Sequence, residues 1–314
     1  MTISSRNGYA IRTDHLTRDF GTLRAVDGLS IDVPSGIVFG FLGPNGSGKT
    51  TTIRLLLGLL EATSGRAEVL GRDVARDAAF VRERAGALLE HPGLYERLSA
   101  EDNLDFYGRV WQMPGAARRA RIKELLSHLG LWDRRTEQIG KWSRGMKQKL
   151  AVARTLLHRP SLVFLDEPTA GLDPVAAAAL RDDLARLAAR EGATVFLTTH
   201  NLGEAEKLCA QVAVIRQGRL LAVGHPDQLR ARSSARAEIA GRNLGDAVVT
   251  ALRARPEVKA VEMVNGRLQL ELDDNADMAA LVSLIVSTGG LVEEARRDKA
   301  SLEDVFLTLM EEEQ

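Results

Sequence analysis

An α/β fold built on parallel strands is predicted by three features of this sequence. A glycine-rich loop, GPNGSGKTTT over residues 43–52, stands between an apolar, β-prone run and a run with helical spacing. Two more short apolar runs, residues 162–165 and 194–198, end like the first in polar, chemistry-bearing residues. Helical stretches separate the runs, which implies parallel strands joined by crossovers. From residue 233 the rhythm changes, and a small α+β module is expected over 233–314.

Residues 9–33 read as short strands with a turn. Phe20 lies upstream of the loop, where its ring can stack on a base or simply pack in the core; the residues alone leave both open. Pro34-Ser35-Gly36 is a turn before the strand at 37–42. The loop that follows fits G-x-x-x-x-G-K-[ST], with Gly43, Gly46 and Gly48 around Pro44, Asn45 and Ser47, then Lys49, Thr50 and Thr51. Strand, glycine loop and helix together make this a phosphate site rather than a string match. Glycines let the backbone curl with positive φ and approach the phosphates. The curled N–H groups and the helix N-terminus then face the anion. Lys49 places a point charge on the β- and γ-phosphates, and the Thr50 hydroxyl is the expected Mg²⁺ ligand. Ile53, Leu56, Leu57 and Leu60 give the helix its apolar face.

Residues 72–160 look mostly helical. Ser99 with Asp102 resembles a capping box opening AEDNLDFYGRVWQ, and RRARIKELLSHLGL is a second amphipathic helix. Between them and the loop, AGALLEHPGLYERL reads as a strand leaving into a loop, with Glu90 at the exit. Ser143 is the N-cap expected for MKQKLAVARTLLH, and Gly145 permits close approach at its start.

The strand at 162–165 ends in Asp166-Glu167-Pro168. A carboxylate there is costly to bury without a cation, and Mg²⁺ supplies one to Asp166. Glu167 can accept a proton from an attacking water. The bland alternative is that both only cap the turn at Pro168. His200, ending the third strand, is placed to hydrogen-bond a γ-phosphate. The helix PVAAAALRDDLARLAAR has Pro174 in its first turn and Gly192 past its end. Ligands of such sheets sit at the carboxyl ends of strands, so the three polar sets should converge.

Downstream, QVAVIRQGRLLAVG reads as a hairpin with a Gln-Gly turn, HPDQLRAR as a short helix and 231–236 as a linker. The C-terminal module then runs β-α-β-β-α-β, with a hairpin at Asn265-Gly266 and a closing helix SLEDVFLTLM. That order suggests a ferredoxin-like module of roughly eighty residues. Its charges are scattered, and it carries no chemistry of its own.

Composition bounds the rest. The 314 residues are 45% hydrophobic and 27% charged, an ordinary globular balance. With 42 basic and 42 acidic side chains there is no electrostatic case for nucleic acid. Cys209 is the sole cysteine, so no intrachain disulfide or Cys-based metal site is expected, which fits a reducing compartment. The N-terminal sequence shows no apolar core of a signal peptide. A spanning helix needs ~20 mostly apolar residues, and the best stretch, 278–286, is far shorter. Any membrane role must come through a partner.

On these motifs the chain resembles the ATP-binding subunit of an ABC transporter over about residues 9–230. Walker A is GPNGSGKT at 43–50, Walker B is LVFLDEP at 162–168, and Ser143-Arg144-Gly145-Met146-Lys147-Gln148 stands at the signature. Gly171-Leu172-Asp173 matches the D-loop, His200 the switch histidine and Phe20 the adenine-stacking aromatic. The resemblance implies a P-loop NTPase cassette over 1–232, with a helical subdomain at about 95–160, that binds ATP and Mg²⁺. It implies Lys49, Glu167 and His200 in catalysis, and Thr50, Asp166 and Glu90 around the metal. Ser143, Gly145 and Asp173 would complete the nucleotide site across a homodimer or a pair with a second ATPase subunit. An integral membrane permease would be the partner, placing the protein on the cytoplasmic face of the membrane. The C-terminal module resembles that of subunits serving ABC-2-type exporters of drugs, antibiotics and lipids. Two positions depart from the family: Glu90 stands at the Q-loop glutamine, and Arg144 replaces the first signature glycine. A soluble ABC ATPase acting on ribosomes or DNA is the main rival, but such proteins usually carry two cassettes or a long coiled-coil insertion, whereas here the charge is balanced and one cassette is read. A non-hydrolytic regulator does not account for Glu167, nor a P-loop kinase for residues 143–145.

Overall fold

Strand β1 (Tyr9–Phe20) is the spine of an antiparallel sheet. On one side it pairs with β2 (Leu23–Leu29) and β3 (Asp32–Pro34). The chain is given by a computed structural model that describes residues 8–230, 235–273, 276–298 and 301–311. After β3 come β4 (Val38–Leu42) and α1 (Lys49–Leu56). Strand β5 (Ser64–Val69) then returns to the other side of β1, followed by β6 (Arg72–Asp73). Sequence reasoning passed over β5. Its SGRAEV is mostly polar and buries only Ala67 and Val69, so no apolar run announces it.

The stretch from 72 to 160 is less helical than expected. It contains α2 (Val74–Arg84), then β7 (Ala85–Leu88), and only afterwards α3 (Ala100–Val110), α4 (Gly115–His128) and α5 (Arg144–Leu156). Ser99 caps α3 by accepting from the Asp102 N–H at 3.0 Å. Asp102 answers by accepting from the Ser99 hydroxyl rather than from its backbone N–H. Ser143 caps α5 by accepting from the Met146 N–H at 3.3 Å.

Strand β8 (Leu162–Asp166), helix α6 (Pro174–Glu191) and strand β9 (Thr194–Thr199) follow. In α6, Asp173 is the N-cap, Pro174 opens the helix and Gly192 ends it with φ 63°. Such a cap stabilises by about 1 kcal/mol. A short helix α7 (Leu202–Leu208) precedes β10 (Gln211–Arg216) and β11 (Arg219–Gly224). The last two form the expected hairpin, with Gln217 and Gly218 both at positive φ. The second sheet has the order β11-β10-β4-β9-β8-β7, parallel from β10 to β7.

Phenylalanines knit the centre of that sheet. Phe39 of β4, Phe196 of β9 and Phe164 of β8 stand in one register row. Phe196 lies 5.6 Å from Phe39, 5.2 Å from Phe41 and 5.6 Å from Phe164, centroid to centroid. All four are fully buried, and each pair adds about 1 kcal/mol beyond area burial. The row fixes the level at which β4, β8 and β9 end.

Two compact units divide the chain at Gly224/His225. Sequence reasoning set the boundary at 232/233. The difference is α8 (Pro226–Arg230), which packs against α11 (Leu302–Glu311) within the second unit. Of the expected linker, 231–234 lie outside the described residues, while Ala235 already begins β12 (Ala235–Arg242). The unit continues with α9 (Asp246–Arg253), β13 (Val258–Val264), β14 (Arg267–Leu272), α10 (Met278–Ser287) and β15 (Leu291–Asp298). Its sheet is antiparallel, ordered β13-β14-β12-β15. It has its own core, including Ile239, Leu252, Leu268, Leu281 and Ile285. Among the described residues no helix is long and apolar enough to cross a membrane.

Candidate functional site

The glycine loop leaves the end of β4 and feeds α1, whose first residue is Lys49. Gly46 and Gly48 take φ values of 78° and 102°, a region that favours glycine. A Cβ at Gly48 would run into the Ala25 carbonyl of β2, and one at Gly43 into the Ile215 carbonyl of β10. Both sheets therefore close on the loop. The β10–β11 turn pins it further, the Gly218 N–H donating to the Ser47 carbonyl at 3.0 Å. Lys49 is 6% exposed, and its ammonium donates to the Gly43 and Pro44 carbonyls at 2.8 and 3.0 Å. The Ser47 hydroxyl is buried with no partner. A buried polar atom in that state fits a loop built to receive a polar ligand.

Opposite the loop stands the end of β8. The Asp166 carboxylate, 7% exposed, accepts from the Thr50 hydroxyl and the Thr198 hydroxyl, both at 2.6 Å. Glu167 has φ 50°, an uncommon conformation for a residue with a side chain. Its N–H is held by the Thr198 carbonyl and hydroxyl, each at 3.1 Å. The turned backbone brings Glu167 Oε1 to 3.1 Å from Lys49 Nζ and Oε2 to 2.5 Å from His200 Nδ1. The three strand ends thus meet, as the alternation of apolar strands and polar termini implied.

Gly46, Gly48, Lys49, Thr50, Asp166, Glu167 and His200 line a cleft of about 1370 Å³ that also takes in Asn45, Thr51 and Phe20, while Gly43, Pro44 and Ser47 lie behind it. Phe20 is 42% exposed, which decides against the core-packing alternative. The Arg18 guanidinium lies 4.6 Å from the centre of its ring. Glu90 is in the cleft wall but makes no hydrogen bond to Thr50 or Asp166. It faces Arg54, 3.9 Å away, and both side chains are exposed. The glutamate charge noted at the Q-loop position thus has a counter-charge that the sequence did not reveal.

Ser143, Gly145 and Asp173 do not line this cleft. Gly145 packs on Ala176, with 3.2 Å between its would-be Cβ and the alanine methyl. Asp173 spends one carboxylate oxygen on the Val175 and Ala176 N–H groups. Sequence reasoning missed Thr198 and Arg54. Thr198 is fully buried in a β-prone run, where its hydroxyl carries no spacing signal. Burial pushes the Cys209 thiol up to about 12, so it is inert at neutral pH.

The sequence profile described as "ABC transporter" matches residues 26–170. A daunorubicin resistance ATP-binding protein, DrrA2, of Streptomyces coeruleorubidus is 36% identical, covering 96% of this chain and 95% of the relative. The chain belongs to the ABC transporter family. A bacitracin transport ATP-binding protein, BcrA, of Bacillus licheniformis is also 36% identical, over 96% of this chain and 97% of the relative. A fluoroquinolones export ATP-binding protein of Mycobacterium tuberculosis is 37% identical, over 90% and 86%. Among solved structures, cbiO1 from Clostridium perfringens, part of the ABC transporter complex cbiONQ, superimposes with TM-score 0.67 at 27% identity. It covers 71% of this chain and 91% of that one. The chain is accordingly an ABC ATPase, the ATP-binding subunit of a transporter.

A divalent ion fits the residues present. Among the described residues no group of three or more His, Cys, Asp or Glu could enclose a metal. Mg²⁺ asks for less: one or two protein oxygens, with phosphate and water completing its shell. Thr50 and Asp166, already 2.6 Å apart at the mouth of the loop, supply those oxygens.

Proposed function

We propose that this ABC ATPase powers export of a drug-, antibiotic- or lipid-like compound through a separate membrane permease. The observation that carries the proposal is similarity running over nearly the full length of relatives named for daunorubicin resistance, bacitracin transport and fluoroquinolone export. It includes the C-terminal unit, which a bare cassette lacks. We read that unit as ferredoxin-like, supported by its β-α-β-β-α-β order and the antiparallel strand order β13-β14-β12-β15.

In the proposed site, backbone N–H groups of residues 43–51 and the start of α1 cradle the phosphates, and Lys49 neutralises them. Phe20 offers its cleft-facing ring to the base. Thr50 and Asp166 would hold Mg²⁺, which when bound offsets phosphate charge; Glu90 would join them only by turning away from Arg54. Glu167 takes the proton of the attacking water, while His200 fixes the direction of its carboxylate. Ser143 and Gly145 at the N-terminus of α5, with Asp173, serve the nucleotide of a second copy. Their lying outside their own cleft supports that reading. The protein would then work as a homodimer, or beside a second ATPase subunit, at the inner face of the membrane.

The test is to express tagged Glu167→Gln protein in its host, cross-link it in the presence of ATP, and identify what co-purifies. A polytopic membrane protein in stoichiometric amount is expected. Ribosomal proteins in its place would overturn the exporter reading.

A further inference from the structure

Helix α5 carries four basic residues, and three of them have partners. Lys147 pairs with Glu96 at 2.6 Å and Lys149 with Asp183 at 2.7 Å. Arg154 donates to the Ala87 carbonyl at 3.0 Å and lies over the Tyr107 ring. Arg144 differs. Among the described residues its guanidinium makes no hydrogen bond and no ion pair, yet it lines the cleft that holds Lys49, Glu167 and His200. It is not adrift. Its Cζ and both terminal nitrogens lie within 2.7 Å of where a Cβ on Gly171 would stand. Gly171, at φ 68°, is thus a bare platform on which the guanidinium rests. A planar fork of five N–H donors held against backbone, with its edge unpaired, is suited to phosphoryl oxygens.

We propose that Arg144 is a catalytic residue of this ATPase, donating hydrogen bonds to the terminal phosphate of ATP. The inference rests on the nucleotide occupying the cleft as described above. As the water oxygen bonds to phosphorus and its proton passes to Glu167, the bond from phosphorus to the ADP oxygen breaks. Charge shifts towards the phosphoryl and leaving oxygens, and a positioned guanidinium stabilises it. The phosphate belongs either to the ATP in Arg144's own cleft or to one presented by a second copy.

The variants are Arg144→Gln, Arg144→Lys and Gly171→Ala, measured for ATP turnover and for ATP and ADP affinity with a fluorescent nucleotide. Arg144→Gln is expected to lose about 10²-fold in turnover, the scale of removing one preorganised donor. It should bind ATP more weakly while ADP affinity stays at the wild-type value. Arg144→Lys should recover part of the loss. Gly171→Ala, whose methyl displaces the guanidinium, should reproduce it and cost less in the Arg144→Gln background than in the wild type. Wild-type turnover in Arg144→Gln, or an equal loss of ATP and ADP affinity, overturns the proposal. Lys49→Ala, run alongside, tests the cleft itself: if it abolishes nucleotide binding, the site stands whatever Arg144 does. Mixing Arg144→Gln with Lys49→Ala protomers separates the two phosphate sources. Recovered activity assigns the arginine to the second copy's nucleotide, and none assigns it to its own.

Discussion

Lys49 Nζ lies 3.1 Å from Glu167 Oε1, so the buried phosphate-loop lysine and the half-buried carboxylate after β8 form an ion pair. The ammonium also donates to the Gly43 and Pro44 carbonyls, at 2.8 and 3.0 Å. A phosphate reaching Lys49 must therefore compete with Glu167. The neutral amide of Glu167→Gln competes less. We expect the variant to bind ATP at least as tightly as the wild type while losing ~10²–10⁴ in turnover, the usual effect of removing a general base. Near-normal hydrolysis in a clean preparation would sink the assignment.

Lys49→Ala removes the other half of the pair. Wild-type protein with ATP at 100 times its dissociation constant gains ~2.7 kcal/mol of stability. The variant should gain far less, and a thermal-shift comparison measures the difference. Equal shifts in both proteins would place the lysine off the phosphates.

His158 predicts a dependence on pH. Its ring stacks on Trp111 at 3.8 Å, Nε2 donates to the Ala85 carbonyl at 3.2 Å, and burial depresses its pKa to about 4. The unfolded chain therefore takes up the proton first. Stability from this group is complete above pH ~6.5, falls as the pH drops towards 4, and falls no further below that. The loss approaches about 3 kcal/mol at most, less whatever solvent screens. In His158→Gln the amide still donates to Ala85 but cannot titrate. Its urea midpoint should change less between pH 7.5 and 5 than that of the wild type. Parallel curves would mean that His158 takes up its proton as readily in the folded protein as in the unfolded chain.

The two units have separate cores, one around Phe39, Phe164 and Phe196 and one around Ile239, Leu268 and Leu281. A chain ending at Gly224 should therefore fold and bind ATP without residues 225–314. Circular dichroism and the same nucleotide titration test it. Insoluble or nucleotide-blind protein would show that the cassette depends on the second unit.

The legible parts of the site are those where backbone geometry restricts the residue type. Gly43, Gly46 and Gly48 announce the loop because Cβ clashes or positive φ select glycine there. Asp166 and Glu167 stand out because carboxylates rarely end an apolar strand. Thr198 was invisible, since threonine suits a strand with or without a hydrogen-bonding duty. The pairing of Arg54 with Glu90 joins α1 to the loop after β7 and is tertiary, so nothing local signals it. The same holds for the fold. β4, β8 and β9 are apolar and were readable, whereas β5 is held by pairing with β1 rather than by its own composition.

The ring row of Phe39, Phe196 and Phe164 has a mechanical consequence. Close-packed interiors resist deformation, so β4, β9 and β8 behave as one stiff plate. Gly43, Asp166 and Thr199 are fixtures on its rim, and their spacing cannot adjust strand by strand. Work done by the nucleotide is then not absorbed by bending of the plate. Any shift it causes falls instead on the chain that leaves the rim, as in the loop carrying Glu90 and the turn at Gly171.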